Sequence, residues 1–221
     1  MIEQLLLVRH GETEHNVAGL AQGWSDSPLS PRGKLQVQRL AERVLRLHPD
    51  ALYCSPLGRA VSTAEAIAHV TGLEIRIVEG LREMSSGTWE NRSFLDVRRD
   101  DAGNFGRWTS EPDFAAPGGE SHVVVRDRVE KALRMELGYR ERVGDDLSWR
   151  LHIAGELRTS KRPIVVSHGT AIRIVATAIL ELPAAASRHF AQDNAALNVF
   201  LWRADRWVLK VWNDTTHCSE V

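Results

Sequence analysis

Apolar and polar positions along this chain fall into blocks that predict strands and helices in turn. The short, largely apolar run Ile2 to Val8 has the pattern of a strand buried on both faces. Ser30-Pro31 then opens a helix, with serine as N-cap and proline at the first helical position. Val37, Leu40, Ala41, Val44 and Leu45 recur at helical spacing and give that helix one apolar face. Asp50 to Cys54 predicts a second strand, and Ser55-Pro56 repeats the same cap chemistry before Ala60, Ala64 and Ile67. Gly72 stops that helix, and Leu73 to Val78 predicts a third strand.

The rhythm then breaks. Residues 81–120 are rich in Gly, Asn, Asp and Trp, with Phe94, Phe105, Trp108 and Phe114 scattered among them. They predict a helical and looped excursion over the sheet edge, with a cap insertion at about 84–120. Ser121 begins a helix with Val125, Val129, Ala132 and Leu133 on one side. The stretch Leu137 to Arg158 reads as a further excursion, broken at Gly144-Asp145-Asp146 between two helical pieces. It is either a solvated surface excursion or a lid or homodimer contact using Trp149, Leu151 and Ile153. Pro163 to Ser167 predicts a fourth strand and Thr170 to Leu182 an apolar helix ended by Pro183. Leu197 to Trp202 and Trp207 to Trp212 form a closing hairpin turned at Ala204-Asp205. With no repeat or low-complexity linker, residues 1–221 are expected to form one α/β domain with an inserted cap.

Composition narrows the function classes. With 221 residues, 43% of them hydrophobic, the chain can bury one sizeable core. A net charge of -1 offers no global basic field for nucleic acid or an anionic membrane. No apolar run approaches the roughly 20 residues that span a bilayer. The start, Met1-Ile2-Glu3-Gln4, has no basic region or cleavage site and is not expected to be a signal peptide. Two distant cysteines, Cys54 and Cys218, make no metal-ligand spacing or disulfide framework, so a reducing cytoplasmic setting is expected.

The chemistry sits at the strand ends. Arg9-His10-Gly11 follows the first strand, and His168-Gly169 follows the fourth. Two such strands suggest two imidazoles meeting at the carboxyl edge of one sheet, where open α/β sheets bind ligands. Arg9 points to an anion, with phosphate the expected ligand. Neutral imidazole is a nucleophile near pH 7 and an acceptor of phosphoryl groups. Arg59, in the first turn after the second strand, can face the non-bridging oxygens, and Glu83, after the third, can give a proton to the leaving oxygen. Alone, each is more often a structural or solvated residue. Together they place a candidate just past every one of the four strands.

Leu7-Val8-Arg9-His10-Gly11-Glu12-Thr13 resembles the signature of the histidine phosphatase superfamily, the phosphoglycerate mutase-like fold. Gly23-Trp24-Ser25-Asp26-Ser27-Pro28-Leu29-Ser30, Ser55-Pro56-Leu57-Gly58-Arg59-Ala60, Leu81-Arg82-Glu83, Gly87-Thr88-Trp89-Glu90, Pro117-Gly118-Gly119-Glu120-Ser121 and Val166-Ser167-His168-Gly169 follow in that family's order. The resemblance implies a three-layer α/β/α sandwich with a mostly parallel central sheet and a cap over its carboxyl edge. It implies that His10 becomes phosphorylated, that Arg9, Arg59 and His168 complete the phosphate pocket, and that Glu83 is the proton donor. Asn16, Gln22 and Gly23 match substrate-contacting positions, and Gly169-Thr170 supplies backbone donors. No metal or organic cofactor is implied. Thr170 and Asn91 stand where many relatives have glycine; threonine keeps the backbone donor, and asparagine tolerates a left-handed backbone.

Three activities remain to be separated. Mutase members carry tyrosine and lysine after the proton donor, whereas Met84 to Arg92 contains neither, which resembles the cofactor-independent phosphatase branch. The alternatives are a phosphoglycerate mutase and a module that binds a phospho-ligand without turnover. A metallophosphatase built on His10, Glu12, Glu14 and His15 lacks the HExxH spacing. Trp89, Phe94, Phe105, Trp108 and Phe114 either line the cap above the phosphate or pack the cap onto the sheet. Arg92, Arg98, Arg99 and Arg107 either favour a second anionic group or are solvated. The expected partner is a small phosphorylated metabolite.

Overall fold

Strand β1 (Gln4–Arg9) forms where the first apolar run predicted it, and its side chains divide by parity. Leu5 and Leu7 enter one buried cluster, while Leu6 and Val8 enter the other. The computed structural model describes residues 2–137, 139–142, 149–152, 161–204, 206–219 and 221. After β1 come the short helix α1 (Glu14–Val17), helix α2 (Pro31–Leu45), strand β2 (Ala51–Cys54), helix α3 (Gly58–Thr71) and strand β3 (Ile75–Ile77). Helices α4 (Phe94–Asp100), α5 (Ala102–Ser110) and α6 (His122–Leu137) follow, then strands β4 (Tyr139–Arg142), β5 (Trp149–His152) and β6 (Pro163–Ser167). Helix α7 (Gly169–Ile179) and strands β7 (Leu197–Arg203) and β8 (Arg206–Asp214) complete the order.

The central sheet has six strands in the order β3-β2-β6-β1-β7-β8. The pairs β3/β2, β2/β6 and β6/β1 are parallel; β7 runs antiparallel to β1, and β8 to β7. Leu40, Ala41 and Val44 of α2 and Ala60, Ala64 and Ile67 of α3 cover one face. Val125, Val129 and Ala132 of α6 and Ile172 and Val175 of α7 cover the other. This is a mixed α/β sandwich in which the sheet is the middle layer. Burying each aliphatic side chain contributes about 1.5–3 kcal/mol. Ile164, fully buried on β6 between β1 and β2, is a position where truncation to alanine costs about 2–5 kcal/mol.

Several elements depart from the sequence expectation. Ser30 does cap α2, its Oγ accepting from the Gly33 N–H at 2.9 Å. Ser55 does not cap α3. That helix starts at Gly58, and Asp26, from a distant loop, accepts from the Gly58 and Arg59 amides. Strand β3 is only Ile75–Ile77, because it is an edge strand paired with β2 alone. Helix α7 ends at Ile179, since Glu181 turns left-handed (φ 58°) and Pro183 disfavours helix in the residue before it. The excursion after α6 contains β4 and β5, an antiparallel pair in register Tyr139 with His152, rather than two helical pieces. Pairing to each other satisfies backbone groups that a short separate helix would leave open at its ends. Gly144-Asp145-Asp146 and Ile153 lie outside the described residues.

The cap has a small core of its own. Trp89, 1% exposed, packs with Val97, Ala116, Phe105 and Trp108. Asn91 takes the left-handed conformation at φ 64°, as its chemistry allows. Its N–H donates to the Ala21 carbonyl at 2.7 Å, and the Ala21 N–H to the Arg92 carbonyl at 2.9 Å, which ties the loop before Gly23 to the cap. Among the described residues no helix is long and apolar enough to cross a membrane.

Candidate active site

The parallel strands end together at one edge. Arg9 is in register with Ser167, and the His10 N–H donates to the Ser167 carbonyl at 3.1 Å. On the other side of β6, the Ser55 N–H donates to the Val166 carbonyl at 3.0 Å. Register alone therefore brings His10, Ser55 and His168 to the same edge. The two imidazole rings lie 5.1 Å apart, tilted by 56°.

Both rings are buried, His10 2% and His168 0% exposed. Burial, reinforced by the Arg9 and Arg59 guanidiniums, holds the His10 imidazole well below its usual value. His168 is lowered by burial too, then by Arg59, His10 and Arg9. Both rings are thus neutral at pH 7. His10 Nδ1 lies 2.7 Å from the Gly11 carbonyl oxygen. A carbonyl only accepts, so Nδ1 carries the proton and Nε2 keeps its lone pair. His168 Nε2 lies 2.7 Å from Ser55 Oγ, while its Nδ1 is buried with no protein partner.

Arg59 is almost completely buried and held by the Ser25 and Gly23 carbonyls at 2.9 and 2.8 Å and by Asp26 Oδ1 at 3.1 Å. Asp26 therefore both caps α3 and orients its first-turn guanidinium. Gly23 is itself left-handed at φ 53°, and a Cβ there would lie 2.7 Å from the Ser86 nitrogen. Arg9 donates to the Gln192 carbonyl. Burial lowers its pKa to about 10, with Arg173 adding to the effect. A Cβ on Gly169 would sit 3.3 Å from the Arg9 guanidinium carbon, so glycine lets Arg9 lie against the start of α7.

The Glu83 carboxylate is gripped by backbone. Thr170 and Ala171 donate to it at 3.0 Å each, and Met84 at 2.7 Å. The first-turn amides of α7 thus hold a carboxylate, an arrangement that a helix N-terminus favours. The Thr170 amide, expected beside the ligand, is directed at Glu83. Arg128 braces the same loop from α6. It donates to the carbonyls of Gly80, Arg82 and Glu83 at 2.8, 3.1 and 3.2 Å and pairs with Glu120 through two bonds, at 3.0 and 2.8 Å.

These groups surround one cavity of about 320 Å³. Arg9, His10, Asn16, Gln22, Gly23, Arg59, Glu83, Gly169 and Thr170 all line it, and His168 stands behind His10. Asn16 Oδ1 accepts from the Thr13 N–H and from Asn194 Nδ2, which leaves its amide nitrogen for a ligand. Nε of Arg9, Nε of Arg59, Nδ1 of His168 and the side-chain amide of Gln192 are buried with no protein partner. Buried polar groups are normally satisfied, so this cluster of open polar atoms, with the Arg9 and Arg59 N–H donors among them, marks where an oxyanion fits. Among the described residues no three His, Cys, Asp or Glu side chains gather as a metal site. Glu12 instead accepts from Ser30 Oγ at 2.7 Å.

The model of the histidine phosphatase superfamily, branch 1, matches residues 5–215. The chain belongs to that superfamily. A relative named probable phosphoglycerate mutase GpmB, from Salmonella paratyphi C, is 34% identical, covering 97% of this chain and 94% of its own. Among solved structures, a mycobacterial glucosyl-3-phosphoglycerate phosphatase complexed with VO3 is similar at TM-score 0.80 and 29% identity, covering 96% of this chain and 98% of that one. The alpha-ribazole phosphatase from Shigella flexneri is similar at TM-score 0.79 and 27% identity, covering 96% of each chain. Histidine phosphatases thus share the fold found here.

The aromatic set divides. Phe94 and Trp108, stacked at 6.0 Å, line the cavity, whereas Trp89 and Phe105 pack the cap and Phe114 lies under Arg107. Arg92, Arg99 and Arg107 are spent on Asp100, Asp96 and Glu111. Sequence reasoning missed Ser55, Asp26, Glu90, Arg128, Arg173 and Gln192. Arg173 was within reach, since it lies one helical turn after Gly169. The others belong to the site only through contacts distant in sequence.

Proposed function

We propose that this histidine phosphatase hydrolyses a small phosphomonoester, without a metal ion or organic cofactor, through a phosphohistidine on His10. The observation that carries the reading is the state of His10: Nδ1 is committed to the Gly11 carbonyl at 2.7 Å, and burial between two guanidiniums keeps the ring unprotonated. In the first step the Nε2 lone pair forms a bond to phosphorus as the ester P–O bond breaks. Its electron pair leaves with the alcohol oxygen, which takes the proton that Glu83 carries, as a carboxylic acid, when the ester binds. In the second step water attacks phosphorus and gives its proton to the Glu83 carboxylate, and the P–N pair returns to Nε2. Arg9, Arg59 and His168 stabilise the charge on the non-bridging oxygens. Asn16, Gln22, Gly23, Gly169 and Thr170 surround the substrate. The two buried free cysteines suit a reducing, cytoplasmic setting.

The relative named as a probable mutase favours a second reading, in which the phosphoryl group passes to another hydroxyl instead of water. The absence of tyrosine and lysine between Met84 and Arg92 favours hydrolysis. The test is phosphate release from a phosphomonoester panel, with chelator and without a bisphosphorylated primer, for wild type and His10→Ala. Release by wild type alone, with an acid-labile phosphoryl group trapped on His10, supports the proposal. Release that needs the primer moves the assignment to a mutase, and release by His10→Ala removes the nucleophile.

A further inference from the structure

One buried hydroxyl joins the loop of His10 to the helix that carries Arg59. Thr63 lies on α3 one helical turn after Arg59 and is fully buried. Its hydroxyl donates to the Arg59 carbonyl at 2.8 Å, the back-bond that threonine makes to the carbonyl four residues earlier. With its proton placed there, the oxygen is left to accept, and the Gly11 N–H donates to it at 3.1 Å from 52 positions away. The back-bond is ordinary helix chemistry. The bond from Gly11 is a tertiary one, and it joins the chain beside the nucleophile to the turn that holds a phosphate-facing guanidinium.

Gly11 is also the residue whose carbonyl accepts from His10 Nδ1 at 2.7 Å. The backbone around it is gripped three times. The His10 carbonyl accepts from the Ala195 N–H at 3.0 Å, the Gly11 N–H reaches Thr63, and the Glu12 N–H donates to Gln36 Oε1 at 2.9 Å. Of these three grips, the one that comes from α3 is Thr63. The Arg59 guanidinium is held separately, by the Ser25 and Gly23 carbonyls and Asp26. Thr63 does not line the cavity, so it acts through the imidazole. Resting on the phosphatase reading, we propose that Thr63 is a positioning residue for phosphoryl transfer, whose hydroxyl aligns the His10 imidazole with a phosphate held by Arg59.

Thr63→Val and Thr63→Ala remove the hydroxyl with different bulk, and Thr63→Ser keeps it. Formation of acid-labile phosphohistidine from p-nitrophenyl phosphate is followed by rapid quench, and binding of inorganic phosphate by calorimetry. The two hydroxyl-free variants are expected to phosphorylate His10 about ten- to a hundredfold more slowly, the cost of a nucleophile misplaced by up to about 1 Å. They are expected to bind phosphate with the wild-type stoichiometry and affinity, and Thr63→Ser to recover most of the rate. A wild-type rate in either hydroxyl-free variant overturns the proposal, as does a serine variant as slow as the valine one. A fall in phosphate stoichiometry that matches the fall in rate assigns Thr63 to folding alone and overturns it too. Absence of phosphohistidine in wild type overturns the phosphatase reading and this role with it, whereas normal phosphorylation in wild type and variants alike overturns this role only.

Discussion

Ser55 Oγ lies 2.7 Å from His168 Nε2, both groups fully buried at the ends of adjacent parallel strands. When the hydroxyl donates, His168 Nδ1 must carry the proton and becomes a donor. That nitrogen is buried without a protein partner. The serine thus sets which face of the imidazole can meet an oxyanion. Ser55→Ala is expected to keep the fold and lower kcat/KM about tenfold, the cost of roughly one buried hydrogen bond. Unchanged kcat/KM, with the variant's melting temperature preserved, would assign the serine no part in the site.

Glu90 joins two loops that meet nowhere in sequence. Its carboxylate accepts from the Trp24 and Ser25 amides at 2.9 and 2.8 Å, and from the Ser86 amide and Ser85 hydroxyl at 3.2 and 3.3 Å. One loop carries the Gly23 carbonyl that holds Arg59, and the other begins at Glu83. Glu90→Ala leaves these donors open and is expected to cost about 1–3 kcal/mol in urea unfolding. Loss of the Gly23 position should also weaken inorganic phosphate binding severalfold. A variant of normal stability and normal phosphate affinity would contradict the bracing role.

His122 makes stability depend on pH. It is 5% exposed, and burial, then Arg188 and Arg173, hold its pKa at about 4. An imidazole that stays neutral when folded takes up a proton on unfolding below about 6.5. The unfolded state then binds more protons, so stability falls as pH drops from about 6.5 towards 4. His10 and His168 act in the same direction. The urea midpoint is expected to fall between pH 7 and 5, and to fall less in His122→Gln. An equal slope in the two proteins would show that His122 does not titrate on unfolding.

The alternation of strands and helices was legible because apolar period and cap chemistry are local. The parity of Leu5, Leu6, Leu7 and Val8 follows from strand geometry alone, and Ser30-Pro31 needs no distant partner to start α2. The positions of His10, Arg59 and His168 were legible too, since each immediately follows a strand or opens a helix, whereas Glu83 lies past a short turn after β3. Ser55 misled because Ser-Pro usually signals a cap, and only the packing of β2 beside β6 reveals its histidine partner.

Chain order by itself determined the alternation of strands and helices and the strand edge near which Arg9, His10, Arg59 and His168 stand, since these depend on short-range periodicity and on residues a few positions from a strand end. Tertiary structure alone decided that Asp26 caps α3, that Thr170 and Ala171 hold Glu83, and that Arg173 lines the same cavity as Arg9 and Arg59. Those contacts join segments from 32 to 88 residues apart, wherever they are direct bonds. A side chain's partner is chosen by the backbone that packing brings beside it, and no local pattern encodes that choice.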